Sequence, residues 1–194
     1  MGLLAVGLNN NDTHLDFKGR VRFRFDYLEE GEAEKRHYHE LRQITLESVG
    51  TPYHSALKGM QAADQNAKKP LAQSDYFAVP PGRLELNTKI APRHPLYGKD
   101  VVIHMIKLHL HPFGESVEIR DLTTMQTVWI GYAKAAAGRK ALIDTPSYSD
   151  QNGLRIYANH SYAVITKYHN TSHETIGGMG VLRVYVADPS TLIH

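Results

Sequence analysis

Residues 101–120 read VVIHMIKLHLHPFGESVEIR, and the fold of the whole chain turns on that stretch. It is an extended apolar run that breaks at Gly114 and resumes from Ser116 to Arg120, the pattern of two strands and a tight connection. Near the end of the first run, His109 and His111 flank Leu110. Side chains of an extended strand alternate between faces, so both imidazoles project to the same side, one pleat repeat apart. That spacing lets two rings share one metal ion. Two histidines on a strand more often face solvent or bond to neighbours, so the weight of the pair comes from its surroundings.

Towards the N-terminus, Gly19 to Tyr27 (GRVRFRFDY) alternates strictly. Val21, Phe23 and Phe25 fall on one face and Arg20, Arg22, Arg24 and Asp26 on the other, as in an antiparallel strand with one wet side. Gly2 to Leu8 is an apolar run of strand length, and Met1 to Leu8 lacks the basic flank and cleavage site of a signal peptide. Glu29 to Arg36 is a charged turn, and His37 to Ser48 is extended, with Leu41, Ile44 and Leu46 directed inward. Val49 to Asp75 is a polar insertion whose Ser55 to Lys68 has weak helical periodicity. Pro80-Pro81-Gly82 marks a bend, since two prolines fix φ and remove two donors. Leu84 to Ile90 is a strand and Pro92 to Lys99 a loop.

Towards the C-terminus, Thr127 to Tyr132 forms a hairpin with Ser116 to Arg120 around Asp121 to Met125. Ala135 to Arg139 is a turn, and Gly153 to Tyr157, Ser161 to Tyr168 and Gly180 to Val186 are three further strands. About nine short strands punctuated by Gly, Pro, Asn and Asp predict an all-β antiparallel sandwich. The expected organisation is a single domain, residues 1–194, with the insertion at about 49–75.

Composition narrows the function classes. A hydrophobic fraction of 42% and a charged fraction of 22% are ordinary for a globular chain, and the net charge is only +2. Lysine and arginine are scattered, which gives nucleic-acid binding no electrostatic footprint. There is no cysteine, hence no disulfide framework and no thiolate metal site. No apolar run reaches the roughly 18 to 20 residues of a membrane span. Of 12 histidines, four fall between His94 and His111, an excess compatible with metal binding. No GxSxG elbow, Walker loop or Rossmann glycine pattern occurs.

The third residue of interest is Met179, in Gly177-Gly178-Met179-Gly180 at the head of an apolar strand. A packing methionine more often lies within a strand's alternation than at a glycine-flanked entrance. Two imidazoles and one thioether form a donor set that suits copper far better than zinc or magnesium. With these residues in place, the chain resembles the second jelly-roll domain of the copper type II, ascorbate-dependent monooxygenases, the family of peptidylglycine α-hydroxylating monooxygenase and dopamine β-hydroxylase. The matching pieces run in family order: LLAVGLNN followed by Gly19, the AVPPG bend, IHMIKLHLHPFG, YHNTSH and GGMGVLRVYV, together spanning Leu3 to Val186. The resemblance implies a jelly-roll fold and one copper ion held by His109, His111 and Met179.

The departure from the family is as informative. Its second copper takes one ligand from a Val-His-Tyr motif in the first strand of this domain, and the others from a His-His pair in a preceding domain. The aligned tripeptide here is Val6-Gly7-Leu8, and glycine has no side chain to ligate with. The chain is therefore expected to carry at most one of the two coppers and not to be a complete monooxygenase by itself.

The remaining histidines and acids lack comparable company. His37 and His39 form a second His-x-His at the edge of the charged turn, with no third ligand in sight. His104 sits at an odd offset from His109, on the opposite face unless a bulge brings it round. His169 and His173 are separated by turn residues. Glu115, Glu118 and Asp121 lie on a hairpin where exposed charges are the expectation. Three N-x-[ST] sequons, at Asn11, Asn159 and Asn170, mean glycosylation only in a secretory host.

The leading expectation is thus a copper-binding β-sandwich module, acting in copper handling or as an accessory unit of a periplasmic or extracellular assembly. One alternative is a structural or docking subunit of a larger, membrane-associated complex, with a vestigial metal site and the 49–75 insertion reaching a protein partner. Another is a subunit of a copper monooxygenase completed by a partner domain.

Overall fold

The computed structural model describes residues 22, 24, 27, 29, 31–35, 40–53, 76–137 and 142–187. The chain divides into two compact units, Met1–His39 and Glu40–His194. In the first, the described residues form one helical turn, α1 (Glu32–Lys35), entered through Gly31 at φ 77° and closed by a 3.3 Å bond from the Lys35 N–H to the Gly31 carbonyl. The strand expected over Gly19 to Tyr27 falls largely outside the described residues. So do Gly7, His37, His39 and most of the polar insertion.

Among the described residues, the regular elements of the second unit are strands. In chain order they are β1 (Arg42–Glu47), β2 (Phe77–Val79), β3 (Gly82–Lys89), β4 (Val101–Leu110), β5 (Gly114–Asp121) and β6 (Gln126–Tyr132), then β7 (Lys134–Ala135), β8 (Leu142–Asp144), β9 (Ser147–Ile156), β10 (Tyr162–Asn170), β11 (Ile176–Gly178) and β12 (Gly180–Ala187). Two four-stranded antiparallel sheets dominate, ordered β1-β12-β4-β9 and β3-β10-β5-β6. The strands of these sheets, numbered first to eighth along the chain, lie in the orders 1-8-3-6 and 2-7-4-5. This is the jelly-roll arrangement, in which two Greek keys fold one long antiparallel ribbon over itself. The expected all-β sandwich is therefore observed, with 12 strands among the described residues where about nine were expected in the whole chain. The unexpected strands are β2, β7, β8 and β11, which are too short to leave a periodic trace in sequence.

The core lies between the two sheets. Its inward side chains include Leu182, Val184 and Val186 of β12, Val117 and Ile119 of β5, and Val164 and Tyr168 of β10, all buried. β4 contributes Val101 and Ile103, then Ile106, Leu108 and Leu110. The parity changes between Ile103 and Ile106 because His104 has no partner in the ladder. Tyr185 pairs with Met105 and Val186 with Ile103, and on the other side the β9 partners jump from Leu154 to Ser149. The bulge turns Lys107 and His109 outward, and both are exposed.

At the open flank of the sandwich, edge strands β1 and β3 leave a groove of about 570 Å³ lined in part by Ile44, Leu46, Ile90 and Val164. His94 seals part of it. Its Nδ1 accepts the Leu96 N–H at 3.2 Å, so Nε2 carries the proton and donates to the Thr45 carbonyl at 2.9 Å.

Replacing Ile119, fully buried, with alanine is expected to cost about 2–5 kcal/mol. Ile143→Ala, at a side chain 69% exposed, should stay within about 0.5 kcal/mol of wild type. Urea denaturation midpoints compare the two, and equal shifts would contradict this placement of the core.

Candidate metal centre

His109 and His111 leave β4 on the outer face of the first sheet, at the end where β12 begins. Their ring centres stand 5.3 Å apart and the ring planes meet at 74°. Two imidazoles sharing one ion through nitrogen bonds of about 2.0–2.1 Å bring their ring centres to roughly 5 Å from each other. The observed spacing fits that requirement.

Met179 arrives from the neighbouring strand. β12 pairs Gly180 with Leu110 and Val181 with His109, so the next rung sets Met179 opposite His111. A 3.3 Å bond from the His111 N–H to the Met179 carbonyl closes the rung. Residues directly opposite in an antiparallel pair direct their side chains to the same face, with Cβ atoms about 4.5–5.5 Å apart. The backbone of Met179 is therefore held beside that of His111, at the end of the sheet from which both histidines project.

Local hydrogen bonds orient the pieces. The His111 Nδ1 lies 3.2 Å from the Gly177 carbonyl, an acceptor only, so Nδ1 carries the proton and Nε2 presents its lone pair. A backbone carbonyl holding the remote nitrogen is the usual way a ligating histidine is fixed in one tautomer. Tyr76 packs on the same ring, centre to centre 5.1 Å. The glycines before Met179 are required by crowding: a Cβ on Gly177 would press on Tyr53, and one on Gly178 on Val79 and Phe77. The GGMG sequence is thus explained by close packing as well as by any metal.

Both rings are held below the ordinary imidazole range. Partial desolvation is the main cause at His109, with repulsion from the Arg183 guanidinium adding to it. For His111 burial again dominates. The Gly177 carbonyl opposes it, and the charge of His109 reinforces it. Two neutral imidazoles near neutral pH are what a metal needs, since a protonated ring offers no lone pair. Among the described residues, no group of three or more histidine, cysteine, aspartate or glutamate side chains converges as a metal site. A centre at this position therefore needs the thioether as its third protein donor, which favours a soft ion over calcium or magnesium.

The other residues marked in sequence lie apart from this group. His104 occupies the bulge, its Nδ1 3.2 Å from the Asp150 carbonyl and its Nε2 buried without a partner, on the β9 side of the sheet. His169 is 3.7 Å from Glu115, and His173 is exposed in the bend that follows β10. The expectation of exposed acids on the β5–β6 hairpin fails at two positions. Glu118 is 3% exposed and Asp121 6%. Burial alone would raise the Glu118 carboxyl, but a two-pronged bond to Arg120 at 2.8 and 2.9 Å and the Thr127 hydroxyl at 2.6 Å hold it below the ordinary range. Asp121 accepts the Thr123 and Thr124 N–H groups and contacts the His160 Nδ1 at 2.6 Å. Glu-x-Arg on one strand face was the available signal for the first pair. Asp121 and His160 are too far apart in sequence to announce the second. Asn170, in one of the sequons, is 1% exposed. Its Nδ2 donates to the carbonyls of Val79 at 2.9 Å and Glu174 at 2.8 Å.

No family model, curated protein or solved structure matches the chain.

In the metal-free protein, both rings are expected to titrate below about 6.5 in an NMR pH series. The unfolded chain takes up protons first as pH falls through that value, so stability is present above it and declines below it, down to the folded-state values. His111→Gln should flatten that acid-side decline in urea midpoints measured from pH 7 to 5, and an unchanged slope would contradict the assignment.

Proposed function

We propose that this jelly-roll is a copper-binding module holding one ion through His109, His111 and Met179. The observation that carries the reading is the bond from the His111 N–H to the Met179 carbonyl, just beyond the Gly180–Leu110 pair, while the His109 ring stands 5.3 Å from the His111 ring. Support also comes from the fixed tautomer of His111 and from the two rings' preference for the neutral form. Two imidazoles and a thioether stabilise Cu(I) and tolerate Cu(II), and three protein donors leave a position for an exogenous ligand.

The reading places the chain close to the oxygen-activating half of the copper type II monooxygenases in ligand chemistry. Gly7 stands where that family's first strand supplies a histidine to the second copper. One-copper chemistry follows: capture, storage or delivery of the ion, or an accessory role in an extracytoplasmic assembly. Among the described residues no helix is long and apolar enough to cross a membrane.

The test is titration of metal-free protein with Cu(I) and Cu(II) under competition from a chelator of known affinity. The expected stoichiometry is one ion per chain. His109→Ala and Met179→Ala should each weaken Cu(I) binding at least about tenfold, the Met179 change having the smaller effect on Cu(II) because thioether is a soft donor. Wild-type affinity in both variants would remove the assignment.

A further inference from the structure

Tyr168 stands on β10, in the sheet opposite the candidate centre, and its ring is 1% exposed between the two layers. Its hydroxyl reaches across the sandwich to the rung that carries His111 and Met179. There it donates to the Met179 carbonyl at 2.6 Å and accepts the Met179 N–H at 3.1 Å and the His111 N–H at 3.2 Å. One donation and two acceptances use the full capacity of a phenol. The β4–β12 ladder proper ends one rung earlier, at Leu110 and Gly180. Beyond that point the His111 N–H is shared between the Met179 carbonyl and the phenol, and the direct bond is long, at 3.3 Å. Phe77 meets the Tyr168 ring edge-on at 5.6 Å and limits its movement.

We infer that Tyr168 is the positioning residue of the metal centre: its hydroxyl pins the backbones of His111 and Met179 so that imidazole and thioether face the same point. The inference rests on the copper reading given above. Its structural content is that one buried hydroxyl replaces the ladder where two donors must stay in register without further pairing. A phenol buried this deeply stays protonated, its ionisation pushed far up by desolvation against the two N–H groups that favour the anion. It therefore keeps donating to the Met179 carbonyl across the working pH range. Orienting groups of this kind typically change metal affinity by about 10–100-fold when removed.

The experiment compares wild type with Tyr168→Phe, which keeps the ring and removes the hydroxyl, and with Phe77→Leu, which loosens the same ring and leaves the hydroxyl. Three quantities are read on each: Cu(I) affinity, the sulfur contribution to the copper X-ray absorption spectrum, and amide hydrogen exchange at His111 and Met179 relative to core strands. Tyr168→Phe is expected to bind Cu(I) at least about tenfold more weakly, to lose or lengthen the sulfur contribution, and to exchange faster at those two amides while core amides keep their protection. Phe77→Leu should lower global stability and leave the sulfur contribution in place. Unchanged affinity and sulfur signal in Tyr168→Phe overturn the inference. So does a loss of affinity accompanied by equal acceleration of core exchange, which marks general destabilisation. If wild type binds no copper, the functional reading fails instead, and the exchange of the two amides still decides whether the hydroxyl holds the rung.

Discussion

Between Ile103 and Met105, β4 carries one residue more than the ladder on β12 can match, and the outward direction of His109 depends on it. Before the bulge the odd-numbered residues face the core; after it the even-numbered ones do. Without that extra residue the register set by Val101 and Ile103 would turn His109 towards the hydrophobic interior and Leu108 towards water. Burying an imidazole without partners costs on the order of 1–3 kcal/mol, and exposing the leucine forfeits a comparable amount. Bulges concentrate where a strand must re-aim a side chain. His104 occupies this one, its Nδ1 tied to the Asp150 carbonyl, and Gly153 lies against it where a Cβ would collide with Val102 and the Ile103 carbonyl.

Much of this was legible in the chain, and the illegible part has a physical reason. Lys107 to His111 alternates cleanly, so the common face of the two histidines could be read without coordinates. GGMG marked the strand entrance that carries Met179, while the crowding that requires its glycines is set by Tyr53, Val79 and Phe77 and was not legible. The odd offset of His104 raised the possibility of a bulge but could not establish it, because Ile-His-Met contains neither glycine nor proline and the extra residue is defined only by the partner strands. Tyr168 was silent: in Ser161 to Tyr168 an aromatic at an alternating position reads as core, and nothing local says that its hydroxyl meets a strand of the other sheet. The buried acids are illegible because a hairpin position suggests exposure, whereas β5 is an interior strand of its sheet, flanked by β10 and β6.

The outer face of the second sheet bears a different load. Ile165, 1% exposed, shares that face with Glu118, its neighbour across the β10–β5 ladder. Lys167 pairs with Glu85 at 3.2 Å and Arg83 with Glu115 at 3.2 Å. Such exposed pairs contribute at most about 1 kcal/mol each, but the aliphatic stems of long charged side chains can shield an isoleucine from water. Glu118 is the exception in this lattice. It is buried and fully bonded, so removing Arg120 would leave a carboxylate stranded, a larger loss than any surface pair represents. The two outer faces thus differ in chemistry: one is a lattice of opposite charges, the other ends in two neutral rings.

Asn170 ends β10 with its amide spent on two carbonyls, at Val79 and Glu174, and its oxygen on the Ser172 N–H and hydroxyl. That amide nitrogen is also the atom to which an oligosaccharide would be attached. Attachment happens on a chain that is still being threaded into the secretory lumen, before the sheets close. A sugar placed there would replace one of the two N–H donors that serve Val79 and Glu174 and wedge a hydrated group into a site that is 1% exposed. Asn159, by contrast, is exposed in the turn between β9 and β10. Produced in a eukaryotic secretory host, molecules bare at Asn170 would therefore mature whether or not Asn159 carries a sugar, and those occupied at Asn170 would be retained by quality control as misfolded.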